Sequence, residues 1–158
     1  MTTDSYNSGT AIGNPGLTSF ATWLSRLFMV PPALLLTLIA FRYITNPAQA
    51  ASPTGVLLTT PEALTDTRVV GAIALTVAFA IASCVVSLRR LRMGHVMVIA
   101  LMTLILGVRF FGFAEDGTTL AMGDQKVKTI GEGVFLVLNA IGFFLQTYLY
   151  SPPARMQH

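Results

Sequence analysis

The chain is poor in charge, with only 11% of its 158 residues being Asp, Glu, Lys or Arg against 53% that are hydrophobic. The hydrophobic residues gather into long blocks instead of alternating with polar ones, which excludes an ordinary water-soluble globule, and the mean hydropathy of +0.67 agrees. Cysteine occurs once, at Cys84, inside such a block. An internal disulfide and a cysteine metal cluster are therefore excluded, and Cys84 reads as a small packed apolar residue instead of a nucleophile. Of the two histidines only His95 lies near an apolar block, so no second axial ligand for a haem is indicated. His95 reads as an interfacial residue beside a basic loop. The first sixteen residues, through Asn7, Gly13, Asn14, Pro15 and Gly16, lack the basic start and cleavage pattern of a secretory signal and read as a disordered cytoplasmic tail.

What is present is four apolar blocks, at about 27–44, 69–88, 93–113 and 130–150. At roughly 1.5 Å per residue each suffices to cross a hydrocarbon core of about 30 Å, the first with a little thinning. The expected fold is all-α: an integral membrane four-helix up-down bundle over residues 17–150, between tails at 1–16 and 151–158, with a polar cap formed by the two long loops. Ahead of the first block Leu17, Phe20, Trp23, Leu24 and Leu27 fall near one helical face. That segment either lies in the interface with Arg26 snorkelling to headgroups or is part of a longer first span. Pro31 and Pro32 should distort the start of the span. Asn46-Pro47 resembles the start of a short helix, and Thr60-Pro61-Glu62 reads as a cap, a first-turn proline and an acid at the positive end of a helix dipole. Ala74, Ala78 and Ala82 recur at the spacing that lets membrane helices approach closely, within the bundle or in a dimer. The connection Arg89-Arg90-Leu91-Arg92 is so short that spans two and three must form an antiparallel hairpin.

A formal charge of +3 and a pI near 9.4 do not point to nucleic acid here, because half of the Lys and Arg sit close to the ends of apolar blocks. The two sides carry equal numbers of Lys and Arg, so the count alone does not orient the bundle. The density of Arg89, Arg90 and Arg92, with Arg26 and Arg155 on the same side and almost no acid, favours the cytoplasm for that side and for both termini. The opposite side holds six of the seven acids.

Glu132, Asn139 and Gln146 are spaced by seven, which on a helix of 3.6 residues per turn puts them on one stripe that should face protein or a wet cavity. His95, Met102 and Arg109 repeat that spacing on span three. Because the two spans are antiparallel neighbours, Arg109 should meet Glu132 in an ion pair. Arg42 and Arg68 should reach similar depth from spans one and two, with Glu62, Asp66, Glu115 and Asp116 supplying further acid. Two readings stand side by side: mutual neutralisation that closes this end of the bundle, or a pocket of surplus arginines holding a carboxylate, phosphate or lipid headgroup between walls of Phe41, Tyr43 and Phe110. Phe41-Arg42-Tyr43 and Val108-Arg109-Phe110, at the ends of spans one and three, could be a faint hairpin repeat or simply interfacial anchors. The run Ala114-Glu115-Asp116-Gly117 lacks the ligand spacing of a calcium loop and reads as an acidic turn, so no metal site is expected.

The motifs Phe41-Arg42-Tyr43-Ile44 with Asn46-Pro47, Thr67-Arg68 opening an apolar helix, and Val108-Arg109-Phe110-Phe111-Gly112 with Asp116-Gly117 resemble the small bacterial four-helix membrane proteins grouped as domain of unknown function 4345. That group is similar in architecture to the broader DoxX-like proteins, some of which are associated with quinone-linked oxidoreductases. The resemblance spans about Leu27 to Tyr150, adds weight to Arg42, Arg68 and Arg109, implies a bacterial cytoplasmic (inner) membrane, and carries over no catalytic residue. The leading expectation is a non-catalytic module that binds a small anionic or lipidic ligand, or a partner subunit, through Arg42, Arg68, Arg109, Glu132, Tyr43, Phe110 and Asn139. A quinone- or haem-associated subunit of a membrane oxidoreductase is the alternative, and small-solute or proton transport along the span-four stripe is a third. No cofactor is specified. The partners expected are the bilayer, a lipid, quinone or anionic small molecule, and a homo-oligomer or membrane complex.

Overall fold

The computed structural model describes residues 15–54, 57–115 and 125–149. These form α1 (Pro15–Thr45), α2 (Pro47–Ala51), a single 3-10 turn (Ser52–Thr54), α3 (Pro61–Val86), α4 (Leu88–Glu115) and α5 (Gln125–Leu149). Four helices, over Thr18–Thr45, Pro61–Val86, Leu88–Glu115 and Gln125–Tyr148, are long and apolar enough to cross a bilayer. The protein is a multi-pass, all-helical membrane protein built as a four-helix bundle.

The burial pattern suits lipid as the solvent. Large apolar side chains such as Leu38, Phe79, Leu104 and Phe144 point outward, while the shared core is made of Met29, Ala33, Ile81, Cys84, Leu91, Val98 and Met102. With no hydrophobic drive between helices in a bilayer, close packing of small groups does the work. At Gly71 an added Cβ would lie 2.9 Å from Tyr43 Cβ and 3.0 Å from the Ala40 carbonyl, so this glycine lets α1 and α3 touch backbone to side chain. Gly94 brings α4 against Met29 and Cys84 in the same way. Of the alanine repeat on α3, Ala78 is buried and Ala82 is exposed. The helices form a ring in the order α1, α3, α4, α5, with α1 also reaching across to α4.

Several local expectations find their place. Thr60 caps α3 by accepting the Ala63 N–H at 3.2 Å, with Pro61 and Glu62 in the first turn. Pro47 opens α2 behind Asn46. The segment before the first apolar block is not an interfacial appendage. It is the start of one continuous 31-residue α1, and Ala21, Thr22 and Ser25 on it are buried in the bundle. The turn between α3 and α4 also differs from the expectation. Ser87 alone makes it, with an extended backbone, and Arg89, Arg90 and Arg92 belong to the first turns of α4. Of the long loop after α1, α2 and the 3-10 turn are described, and α2 packs against α1 and α3. Asp116, Asp124, Arg155 and both tails, apart from Pro15 and Gly16, lie outside the described residues.

Up-down connectivity gives the bundle two ends. The cap end gathers the finish of α1 and α4 with the start of α3 and α5. The hinge end gathers the start of α1, the Ser87 turn and the finish of α5.

Candidate functional site

Polar groups enter the bundle at two levels. Nearer the hinge end, Ser25 of α1, His95 of α4 and Asn139 of α5 meet in the interior, all three fully buried. Ser25 Oγ lies 2.5 Å from His95 Nε2, and His95 Nδ1 lies 2.9 Å from Asn139 Oδ1. The Asn139 amide nitrogen donates to two carbonyls, its own helix's Phe135 at 2.9 Å and Phe28 of α1 at 3.2 Å. This assigns the protons. Asn139 turns its oxygen to the imidazole, so Nδ1 carries the hydrogen, and in the neutral ring Nε2 accepts from the Ser25 hydroxyl.

The Phe28 carbonyl is available because residue 32 is proline. In an α-helix the carbonyl of residue 28 accepts from the N–H of residue 32, and Pro32 has none. Asn139 supplies the missing donor, as membrane interiors require of a broken helix. Pro31 and Pro32 thus leave α1 helical, and the Phe28 carbonyl that Pro32 deprives of its helical donor is served from α5. Gly142, one turn further on, makes room for the imidazole: a Cβ there would lie 2.7 Å from His95 Nε2. Elsewhere Thr37, Thr67, Thr76 and Thr129 return their hydroxyls to carbonyls of their own helix, four residues back. Ser25 instead crosses to α4.

His95 is therefore not an interfacial histidine. It lies only one turn past Arg92, but it faces inward. Ser25 and Gly142 carried no signal of this role in the sequence, since isolated serine and glycine are common in membrane helices.

The second level is at the cap end. Arg109 and Glu132 form the expected ion pair with two contacts, Nε donating to Oε2 at 2.8 Å and Nη2 to Oε1. Arg109 Nη1 also donates to Gln125 Oε1. Arginine and glutamate keep 19% and 18% of their side-chain exposure, so the pair is not sealed in. It is the one ion pair among the described residues. Beside it a groove of about 460 Å³ runs along α4, lined by Leu104, Ile105, Val108, Gly112 and Phe113 and bounded by Arg109 and Gln125.

The other expected site residues lie apart from that groove. Arg42 and Arg68 are exposed, on α1 and α3, and make no ion pair with a described residue. Tyr43 is half-buried against α3, and Phe110 points outward with its ring edge-on to Phe113 at 5.8 Å. Phe113, not Phe110, lines the groove. Asn139 belongs to the buried histidine network. Of the stripe on α5, Asn139 and Gln146 are buried and Glu132 is half-buried. Gln125 was not singled out by sequence, because its role depends on where α5 begins.

Among the described residues no three His, Cys, Asp or Glu side chains converge as a metal site would require. No family model, curated protein or solved structure matches this chain.

Proposed function

We propose that this protein is a non-catalytic membrane module that binds an amphipathic, lipid-like ligand at its cap end. The observation that carries the reading is the groove along α4. Its apolar walls from Leu104 to Phe113 suit a chain or ring, and it ends at the Arg109 and Gln125 side chains, which can hold an anionic or carbonyl-bearing head. Glu132 fixes the guanidinium in place through its two contacts.

The other readings have less support. Both ring nitrogens of His95 are engaged by Ser25 and Asn139, which leaves no nitrogen for a haem iron. A transport path would have to pass the apolar layer around Met102 that separates the two polar levels. A quinone, which the DoxX-like resemblance brings into view, is one amphipathic ligand that such a groove could take. The dense arginines of the hinge end favour a cytoplasmic location for it and for both termini, in a bacterial inner membrane.

Native mass spectrometry of gently purified protein tests the site. The wild type is expected to retain a small bound mass. Arg109→Leu and Gln125→Leu are expected to weaken its retention about tenfold, the loss of one charge-assisted or well-placed hydrogen bond, without loss of helicity. A bound mass that both variants keep would place the ligand elsewhere, and its ultraviolet spectrum distinguishes a quinone from a lipid.

A further inference from the structure

We infer a second site, for a phosphate-type anion, at the hinge end of the bundle, between the start of α4 and the finish of α5. A cleft of about 250 Å³ there is lined by Leu88, Arg89, Arg92 and Gln146. Gln146 is only 4% exposed, and its side-chain nitrogen is buried with no hydrogen-bond partner. A buried amide N–H left unmade costs about 1–3 kcal/mol, so a native structure that keeps one invites an acceptor. The cleft into which it opens supplies the place, and the surrounding charges specify what kind of acceptor.

Among the described residues those charges are uniformly positive. Three arginines occupy the first two turns of α4, and no acid stands in its first turn. The amino end of a helix already carries a positive partial charge, which acids normally offset and which here is reinforced. Arg92 is held over the Phe143 ring at 5.1 Å, which positions its guanidinium beside Gln146 on α5 without neutralising it. Two guanidinium forks, an orphan amide donor and a helix start together make a donor set for a tetrahedral oxyanion. Either a phospholipid headgroup or a free phosphate presents that group. Arg89 also borders a neighbouring cleft of about 610 Å³, lined by the polar Ser83, Ser87 and Arg90 and by the apolar Ala80, Cys84, Met93 and Met97, and the apolar part offers an acyl chain a contact that inorganic phosphate would not use. This site is separate from the Arg109 groove and stands or falls without it.

The test uses the full chain in detergent micelles, titrated in turn with phosphatidylglycerol, phosphatidylcholine and inorganic phosphate and read by native mass spectrometry. Phosphatidylglycerol is expected to bind, and Arg89→Gln with Arg92→Gln to weaken it by about tenfold or more, the worth of a lost charge-assisted contact. Gln146→Leu, free of the charge change, should weaken it severalfold and keeps the test open if the arginine variant fails to fold. The hinge-end variants are compared in an Arg109→Leu background, so that phosphatidylglycerol held at the cap-end groove does not enter the count. Binding of phosphatidylglycerol that inorganic phosphate does not displace assigns a lipid headgroup. Binding of inorganic phosphate itself, lost in the same variants, assigns a free anion. Equal binding of phosphatidylglycerol by wild type and all hinge-end variants, or no binding of either probe, overturns the site.

Discussion

The two polar levels of the bundle solve one problem in opposite ways. At Ser25, His95 and Asn139 the groups are neutral, entirely out of solvent, and each donor or acceptor described is matched across three helices. At Arg109 and Glu132 the groups are charged, joined by two contacts, and left with a fifth of their surface open. A neutral hydrogen bond survives full burial because its desolvation is repaid locally, whereas an ion pair sealed in low dielectric struggles to recover the cost of dehydrating both charges. The depth of each group follows. The deep level holds helices together, and the shallow level keeps donors where a ligand can meet them.

The largest expected effect comes from emptying the deep level. Asn139→Leu keeps the branching of the side chain but strands the His95 Nδ1 hydrogen and the Phe28 carbonyl that Pro32 exposed. Two stranded groups should cost about 3 kcal/mol in unfolding from micelles, at about 1–3 kcal/mol for each buried unmade partner. A loss under about 1 kcal/mol, the worth usually measured for interhelical hydrogen bonds in membranes, would mean that other groups take over and that the deep level is not the clasp described here.

The shallow level should behave differently when broken. Glu132→Leu leaves Arg109 half-buried with Gln125 alone and should cost about 1–2 kcal/mol, below the figure for a sealed pair because the edge is open. Adding Arg109→Leu should restore most of that loss, since an apolar pair suits lipid at least as well as an ion pair does. The same unfolding assay on the two single variants and the double variant reads the recovery. If the double variant is no more stable than the single, the pair holds the cap end together and the contrast between the levels collapses.

The shallow level was legible in the sequence and the deep level only in part. Arg109 and Glu132 are charged residues in apolar blocks whose helices must be antiparallel neighbours, so their depth and partner follow from spacing alone. The seven-residue stripe likewise showed that Asn139 and Gln146 face protein. What spacing does not give is the rotation of one helix against another. His95 stands three residues past Arg92, which fixes its position along α4, but whether it faces lipid or protein depends on Gly142 and Ser25 lying opposite. Arg42, Arg68, Tyr43 and Phe110 share a level with Arg109, yet common depth did not gather them into its groove. The boundaries moved for a related reason: hydropathy marks where a helix is apolar, while α1 and α4 continue through polar turns that the neighbouring helices support.

The smallest effect is the most specific, because it asks why Asn139 is bound to α1 at all. In a Pro32→Ala background residue 32 regains its N–H and can return the helical hydrogen bond to the Phe28 carbonyl, so Asn139 no longer has to provide it. Asn139→Leu should then cost about 1 kcal/mol less than in the parent, one hydrogen bond's worth, whatever Pro32→Ala costs by itself through lost packing. The coupling, and not either single value, is the measurement. A cycle that closes to zero would show that residue 32 does not restore the helical hydrogen bond and that the Phe28 carbonyl still depends on Asn139. A positive coupling would show that a break in one membrane helix and an amide in another form a single device, with His95 held in place between them.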